Sequence, residues 1–290
     1  MMNLSDSNKY IIELIQNSKD KPFTITRLGT ESFPSYLYVV KKTFIVYPFV
    51  SNNAGIYSNN PNDIGIYYLN YYNAVDRSDG LAIYLDRSDT LEQEKHFLEA
   101  FKGKDNFKFI IHEVLEPFYC LLKLPNEKPW SQYLLGKKVL IISPFVDSFQ
   151  KQISNGFSMF KDKEKNIFLE GQEFVFYKCF NTIAGNHPHR NWIETFNIMC
   201  NDINKLDFDI ALVSCGGYAL LIGSFIKRKM NKSAIYIGGG LQLFFGVMGK
   251  RWETNQTIQK IIRENGCKFV RPSITEIPRN CQTVEGGCYW

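Results

Sequence analysis

The 290-residue sequence contains none of the short motifs that would identify its chemistry directly. It has no GxGxxG dinucleotide fingerprint and no Walker A lysine, which argues against dinucleotide binding and P-loop ATP hydrolysis. GxSxG is absent, which removes the serine-hydrolase elbow, and so is HExxH, which removes the zincin helix. There is no CxxC, and the four histidines (His96, His112, His187 and His189) have no finger spacing to the cysteines, so structural zinc is not expected. Glycine (20) and proline (11) are too sparse for a collagen-like or low-complexity chain. No apolar run reaches the roughly 20 residues of a spanning helix. The two longest uncharged stretches, 210–226 and 233–249, are 17 residues each, and glycines interrupt both where a strand would turn into a helix. They read as buried strand–helix units, and no membrane span is expected.

Charge is also sparse in pattern. Lys+Arg exceed Asp+Glu by 34 to 29, and the longest basic run is Lys227-Arg228-Lys229. A nucleic-acid binder carries a denser stripe, so no nucleic-acid partner is expected. Seven cysteines, an odd count, follow a polar N-terminal stretch with only a short apolar patch. This predicts reduced thiols and a cytoplasmic location.

What the chain does have is apolar content, 44% of residues, arranged as strands alternating with helices. Strands are expected at 23–29, 81–85, 107–111, 139–142, 174–180, 208–214 and 234–237. Helices are expected at 8–17, 32–40, from Asp63 as cap to 75, from a Ser88 or Asp89 cap to 101, and at 148–160, 192–204, 218–230 and 254–265. Near-continuous apolar strands between helices predict an α/β protein, a Rossmann-like, mostly parallel sheet with helices on both faces. The chain divides into an N-terminal helical extension (1–20), an α/β part (21–116), a proline-interrupted connection (117–136) and a Rossmann-like part (137–290) that forms one compact unit with 21–116.

In an open parallel sheet, ligands bind beyond the carboxyl ends of the strands. Five segments are then candidates: Gly29-Thr30-Glu31, Asp86-Arg87-Ser88-Asp89, Ser143 to Ser148, Ser214-Cys215-Gly216-Gly217, and Gly238-Gly239-Gly240-Leu241-Gln242. Glycines at a strand–helix junction let a phosphate approach the backbone, or simply allow tight packing. Arg27 and Glu31 flank the first strand's exit. Glu31 can hold a divalent ion, orient a hydroxyl, act as a base, or be an ordinary first-turn carboxylate. His187, in Asn186-His187-Pro188-His189-Arg190, is a candidate base or phosphate donor in what is otherwise a polar loop. Lys250, Arg251 and Trp252 offer two cations and a stacking surface, or a solvated turn with one buried tryptophan. Asp207-Phe208-Asp209 has a DxD form but precedes its strand, so it belongs to the opposite end. The aromatic tail 284–290 is expected to dock for packing, with no histidine partner to activate Cys288.

Several stretches resemble a bacterial and viral family related to GT-D type glycosyltransferases. They are Arg27-Leu28-Gly29-Thr30-Glu31, Asn53-Ala54-Gly55-Ile56-Tyr57, Lys128-Pro129-Trp130-Ser131, residues 136–145 and 208–218, residues 237–246, Gly249-Lys250-Arg251-Trp252, Val270-Arg271-Pro272 and the tail. The resemblance implies a Rossmann-like fold and transfer of a sugar from a nucleotide-sugar donor to a glycan acceptor. It implies a donor site at Arg27, Ser143, Gly216, Gly217, Gly238, Gly239, Gly240, Lys250, Arg251 and Trp252. Glu31, which the resemblance selects, and His187, from the loop reading above, are the expected catalytic groups. The family's early motif carries Asp-x-Glu, tied to Mn²⁺. Here Glu31 matches the glutamate and Thr30 stands in the shortened motif, so Mn²⁺ or Mg²⁺ would need a second carboxylate such as Asp86 or Asp79. The departure leaves open a non-catalytic protein that binds a nucleotide or sugar phosphate.

Overall fold

The computed structural model describes residues 2–84, 95–97, 99–104 and 107–290. Seven strands form one sheet: β1 (Thr24–Arg27), β2 (Gly80–Ile83), β3 (Lys108–Ile111), β4 (Lys138–Ser143), β5 (Glu173–Lys178), β6 (Ile210–Val213) and β7 (Ser233–Tyr236). Their order is β3-β2-β1-β7-β6-β4-β5, and every pairing is parallel. The chain is therefore an α/β protein of Rossmann-like type, as its alternating pattern predicts. Pairing of β1 with β7, Ile25 opposite Ile235, joins the strands of the first half to those of the second.

The strands are apolar on both sides because both sides are covered. Leu140, Ile142, Ala211 and Val213 face one cluster, with Tyr67 and Tyr71 from helix Pro61–Asp76, Met199 from Trp192–Ile203 and Leu220 from Ala219–Met230. Val139, Ile141, Ile210 and Leu212 face the other. That cluster includes Ile11 and Ile15 of helix Leu4–Gln16, Phe149 of Val146–Ser154, and Ile258 and Ile261 of Gln256–Asn265. Connections running toward the β3 edge pack on the first face, and those running toward the β5 edge pack on the second. A single crossover hand requires this arrangement. The two central neighbours, β1 and β7, send their following segments to opposite faces, which makes their carboxyl ends the switch point where an open α/β sheet forms its crevice.

Several local expectations change. The 117–136 connection is not irregular: it holds helix Phe118–Lys123 and the 3₁₀ turn Trp130–Leu134, each preceded by a proline at the cap. Pro117 and Pro129 start these turns because a helix's first residues need no N–H partner. Trp130 is fully buried and donates its indole N–H to Val114 O (2.6 Å), so this connection is part of the core. The helix expected over 148–160 ends at Ser154, because Gly156 turns left-handed (φ +72°) just beyond it. Asn60, rather than Asp63, caps the helix that begins at Pro61, accepting from Asn62 N. The Ser88 or Asp89 cap lies outside the described residues. No described helix is long and apolar enough to cross a membrane.

Candidate functional site

The crevice begins at the exit of β1. Arg27, its last residue, leans toward β7, so a side chain on Gly238 would collide with the Arg27 guanidinium. Gly238 also has φ +76°, so both conformation and space require glycine here. Arg27 Nη2 reaches the Tyr84 hydroxyl, at 3.5 Å, and the guanidinium carbon lies 5.7 Å from the Tyr236 ring centre. The Nε is sealed from solvent with no hydrogen-bond partner among the described residues. Burial opposes the charge, yet the phenols of Tyr84, Tyr236 and Tyr289 and the Glu116 carboxyl around it hold its pKa above the ordinary arginine value.

Glu31 stands where the chain enters helix Ser32–Val39, but it makes no capping bond there and is only 4% exposed. Its carboxylate packs over Gly29 and against Gly217, where an added Cβ would lie 3.0 Å from Oε1. Burial raises its pKa, and its own backbone N–H, Arg27 and Thr30 partly offset that. Gly217 is fixed from the other side as well. Its N–H donates to Ala54 O (2.8 Å), its carbonyl accepts from Tyr67 Oη (2.9 Å), and Ile56 closes over it. The Asn53–Tyr57 and Cys215–Tyr218 stretches are thus two sides of one contact, and tight packing accounts for Gly217.

The turn after β7, Gly238–Gly240, is the floor of the crevice. Three side chains approach it in sequence. Arg27 covers Gly238. Tyr289, with Arg251 Nη1 3.5 Å from the Cβ position, covers Gly239. The Glu116 carboxylate covers Gly240. Glu116 follows β3 and is partly buried. Desolvation raises its pKa from 4.5 to about 7, although Arg27 and Arg251 pull it down. Two guanidiniums and one carboxyl of raised pKa thus gather around three glycines.

The other predicted residues lie as follows. Arg251 belongs to the crevice, while Lys250 is exposed and enters through its backbone N–H to Trp290 O (3.1 Å). Trp252 is 7% exposed and sits in the core beneath Arg251, so its indole is packing rather than an open stacking face. Ser143 is fully buried, and its hydroxyl accepts from Phe145 N (3.2 Å) to shape the β4 turn. His187 lines a different cavity of about 420 Å³, together with Tyr47, Tyr68 and Arg190, in which Arg27, Glu31 and Arg251 take no part. Its ring stacks on Tyr57 at 3.9 Å, and burial lowers its pKa. Ile56 lines this cavity and also touches Gly217, so one residue's thickness separates it from Glu31.

Asp207 pairs with Lys138 (2.7 Å), the first residue of β4, at the amino end of the sheet as its position predicts. Asp79 is at that end too: it accepts from Thr24 N (2.8 Å) and pairs with Lys227 (2.7 Å). Asp79 therefore does not complete a pair with Glu31. Asp86 lies outside the described residues. Among the described residues no three His, Cys, Asp or Glu side chains group as metal ligands. Glu31 shares its surroundings with the Arg27 guanidinium, which competes with a divalent ion for the carboxylate, and the second carboxylate expected at Asp86 is not among the described residues.

Glu116 and Tyr289 are the residues that sequence reasoning passed over. The strand-end rule that selected Glu31 applies equally to the segment after β3, and it would have found Glu116. Nothing in the tail's sequence says where Tyr289 docks.

Residues 119–244 match a family model described as a GT-D fold-like domain. This stretch runs from before β4 through β7 and the Gly238–Gly240 turn. No curated protein and no solved structure matches the chain.

Proposed function

We propose that the protein is a glycosyltransferase that takes a nucleotide-sugar donor into the β1–β7 crevice and passes the sugar to a glycan acceptor. The observation that carries this reading is Arg27: a guanidinium at the carboxyl end of a central parallel strand, its Nε without a partner among the described residues, facing a glycine turn. The surrounding phenols and the Glu116 carboxyl keep this guanidinium charged, and a charged guanidinium at a strand's carboxyl end can bind an anion. The donor's diphosphate lies beside the Gly238–Gly240 turn, against Arg27 and Arg251. Both arginines neutralise the charge that develops as the bond from the anomeric carbon to the diphosphate oxygen breaks. Glu116 and Glu31 orient donor hydroxyls.

The acceptor occupies the neighbouring cavity, where His187 serves as base. Its lowered pKa keeps the imidazole neutral near pH 7, ready to take the hydroxyl proton as the acceptor oxygen bonds to the anomeric carbon. The match of residues 119–244 to a GT-D fold-like domain supports this reading.

A non-catalytic nucleotide-binding protein is the second reading, favoured by the 4% exposure of Glu31 and by its lack of a partner carboxylate among the described residues. Calorimetry with a panel of nucleotide sugars, followed by assay of donor turnover, tests both. Binding with turnover supports the enzyme, binding without turnover supports the second reading, and no binding refutes both.

A further inference from the structure

The tail returns to the crevice. Arg251 Nη2 donates to Glu285 Oε2 (2.8 Å) and contacts Cys288 Sγ (2.9 Å), and the guanidinium carbon lies 4.2 Å from the Tyr289 ring centre. The same ring lies 2.8 Å from the Cβ position of Gly239. Tyr289 is therefore sandwiched between the glycine turn and the arginine. Arg251 Nη1, on the Gly239 side, has no hydrogen-bond partner among the described residues, and its side chain keeps 31% of its surface accessible.

The tail itself is anchored through its backbone. Cys288 O accepts from Arg251 N (3.1 Å), Tyr289 O from Gln242 Nε2 (3.0 Å), and Trp290 O from Arg271 Nη1 (2.8 Å). Gly249 has room for no side chain beneath Tyr289, since an added Cβ would lie 2.5 Å from the Tyr289 carbonyl. These backbone bonds hold the tail independently of the Tyr289 side chain, whose ring touches Gly239, Arg251 and, edge to face, the Trp290 ring (centroids 5.8 Å).

We infer that Tyr289 is a positioning residue, which holds Arg251 through ring stacking so that Nη1 reaches a phosphate oxyanion lying beside the Gly238–Gly240 turn. Glu285 is its second anchor, fixing Nη2 from the far side. The inference rests on the crevice being the anion site proposed above. A guanidinium held in place by stacking and by one carboxylate loses less freedom when it binds than a free side chain does.

The test is calorimetric titration of inorganic pyrophosphate into wild type, Tyr289→Leu, Tyr289→Phe, Arg251→Met, the Tyr289→Leu/Arg251→Met double variant and Arg27→Met. Thermal melting runs in parallel on each. Tyr289→Leu is expected to weaken pyrophosphate binding about tenfold in the wild-type background and to have no effect once Arg251 is methionine. Tyr289→Phe retains the ring and is expected to bind like wild type. Equal weakening by Tyr289→Leu in both backgrounds, or none in either, overturns the positioning role while leaving an Arg27-dependent anion site intact. No pyrophosphate binding by wild type overturns the crevice reading along with it. If Tyr289→Leu does not fold, Glu285→Ala makes the same test at an exposed position, with a weakening of about threefold that also vanishes in the Arg251→Met background.

Discussion

Replacing Glu116 by glutamine should make the protein more stable at neutral pH. The Glu116 carboxyl has a pKa of about 7 in the fold, against an ordinary value of 4.5, because desolvation outweighs the pull of Arg27 and Arg251. Between these values the folded protein holds a proton that the unfolded chain has released, so stability falls as pH rises from 4.5 to 7 and stays low above that. Across about 2.5 pH units at 1.36 kcal/mol each, the ceiling is about 3.4 kcal/mol. Partial exposure of the group reduces this to about 1–3 kcal/mol. Glutamine has the same shape and no charge to desolvate. Urea denaturation at pH 8 should therefore place Glu116→Gln about 1–3 kcal/mol above wild type, and at pH 4.5 the gap should shrink below about 0.5 kcal/mol. Donor turnover by the same variant should fall by about 10²-fold, because the carboxylate that orients a hydroxyl is gone. A variant less stable than wild type at pH 8, or a difference that does not change with pH, would refute the reasoning.

Other substitutions and conditions bear on the same account. Gly238→Ala should cost about 1–3 kcal/mol in urea denaturation, since φ +76° and the Arg27 guanidinium both oppose a side chain, and it should weaken pyrophosphate binding at least tenfold. Nucleotide affinity measured in EDTA should stay within about twofold of its value in Mn²⁺, because two arginines supply the positive charge that a metal would otherwise bring. The acid limb of the pH–rate profile should fall below pH 6.5, where His187 gains its proton, and His187→Asn should remove that limb.

The architecture was legible because burial on both faces leaves an unmistakable mark. Val139-Leu140-Ile141-Ile142 and Ile210-Ala211-Leu212-Val213 have no polar side, and only a doubly covered parallel sheet uses such strands. From strand positions alone, the carboxyl-end rule found Arg27, Glu31 and the Gly238–Gly240 turn. It also placed Asp207 at the opposite end, where that residue pairs with Lys138. What the sequence did not reveal depends on long-range docking. Trp252 is next to two cations in sequence and resembles a stacking platform, yet its indole faces the core. Asp79 immediately precedes β2, so the rule that placed Asp207 also puts it at the amino end, by Thr24, and its candidacy beside Glu31 overlooked that. Tyr289 comes to Gly239 from fifty residues away, through backbone contacts that no local pattern encodes. Prolines misled in the 117–136 segment because Pro117 and Pro129 begin helical turns here rather than breaking them.

The central claim is that the β1–β7 crevice binds the diphosphate of a nucleotide through Arg27. Titration of UDP into wild type and Arg27→Met by calorimetry tests it most directly. Wild type should bind with a micromolar dissociation constant, and Arg27→Met should lose about 10²-fold or more in affinity, the scale of a charge-assisted contact in a partly desolvated site. Arg27→Met also withdraws a positive charge that offsets the burial of Glu31 and Glu116, so a lower melting temperature is expected and thermal melting is recorded beside the titration to show that the variant is folded. Equal affinity in the two proteins, or no binding by wild type, would contradict the account.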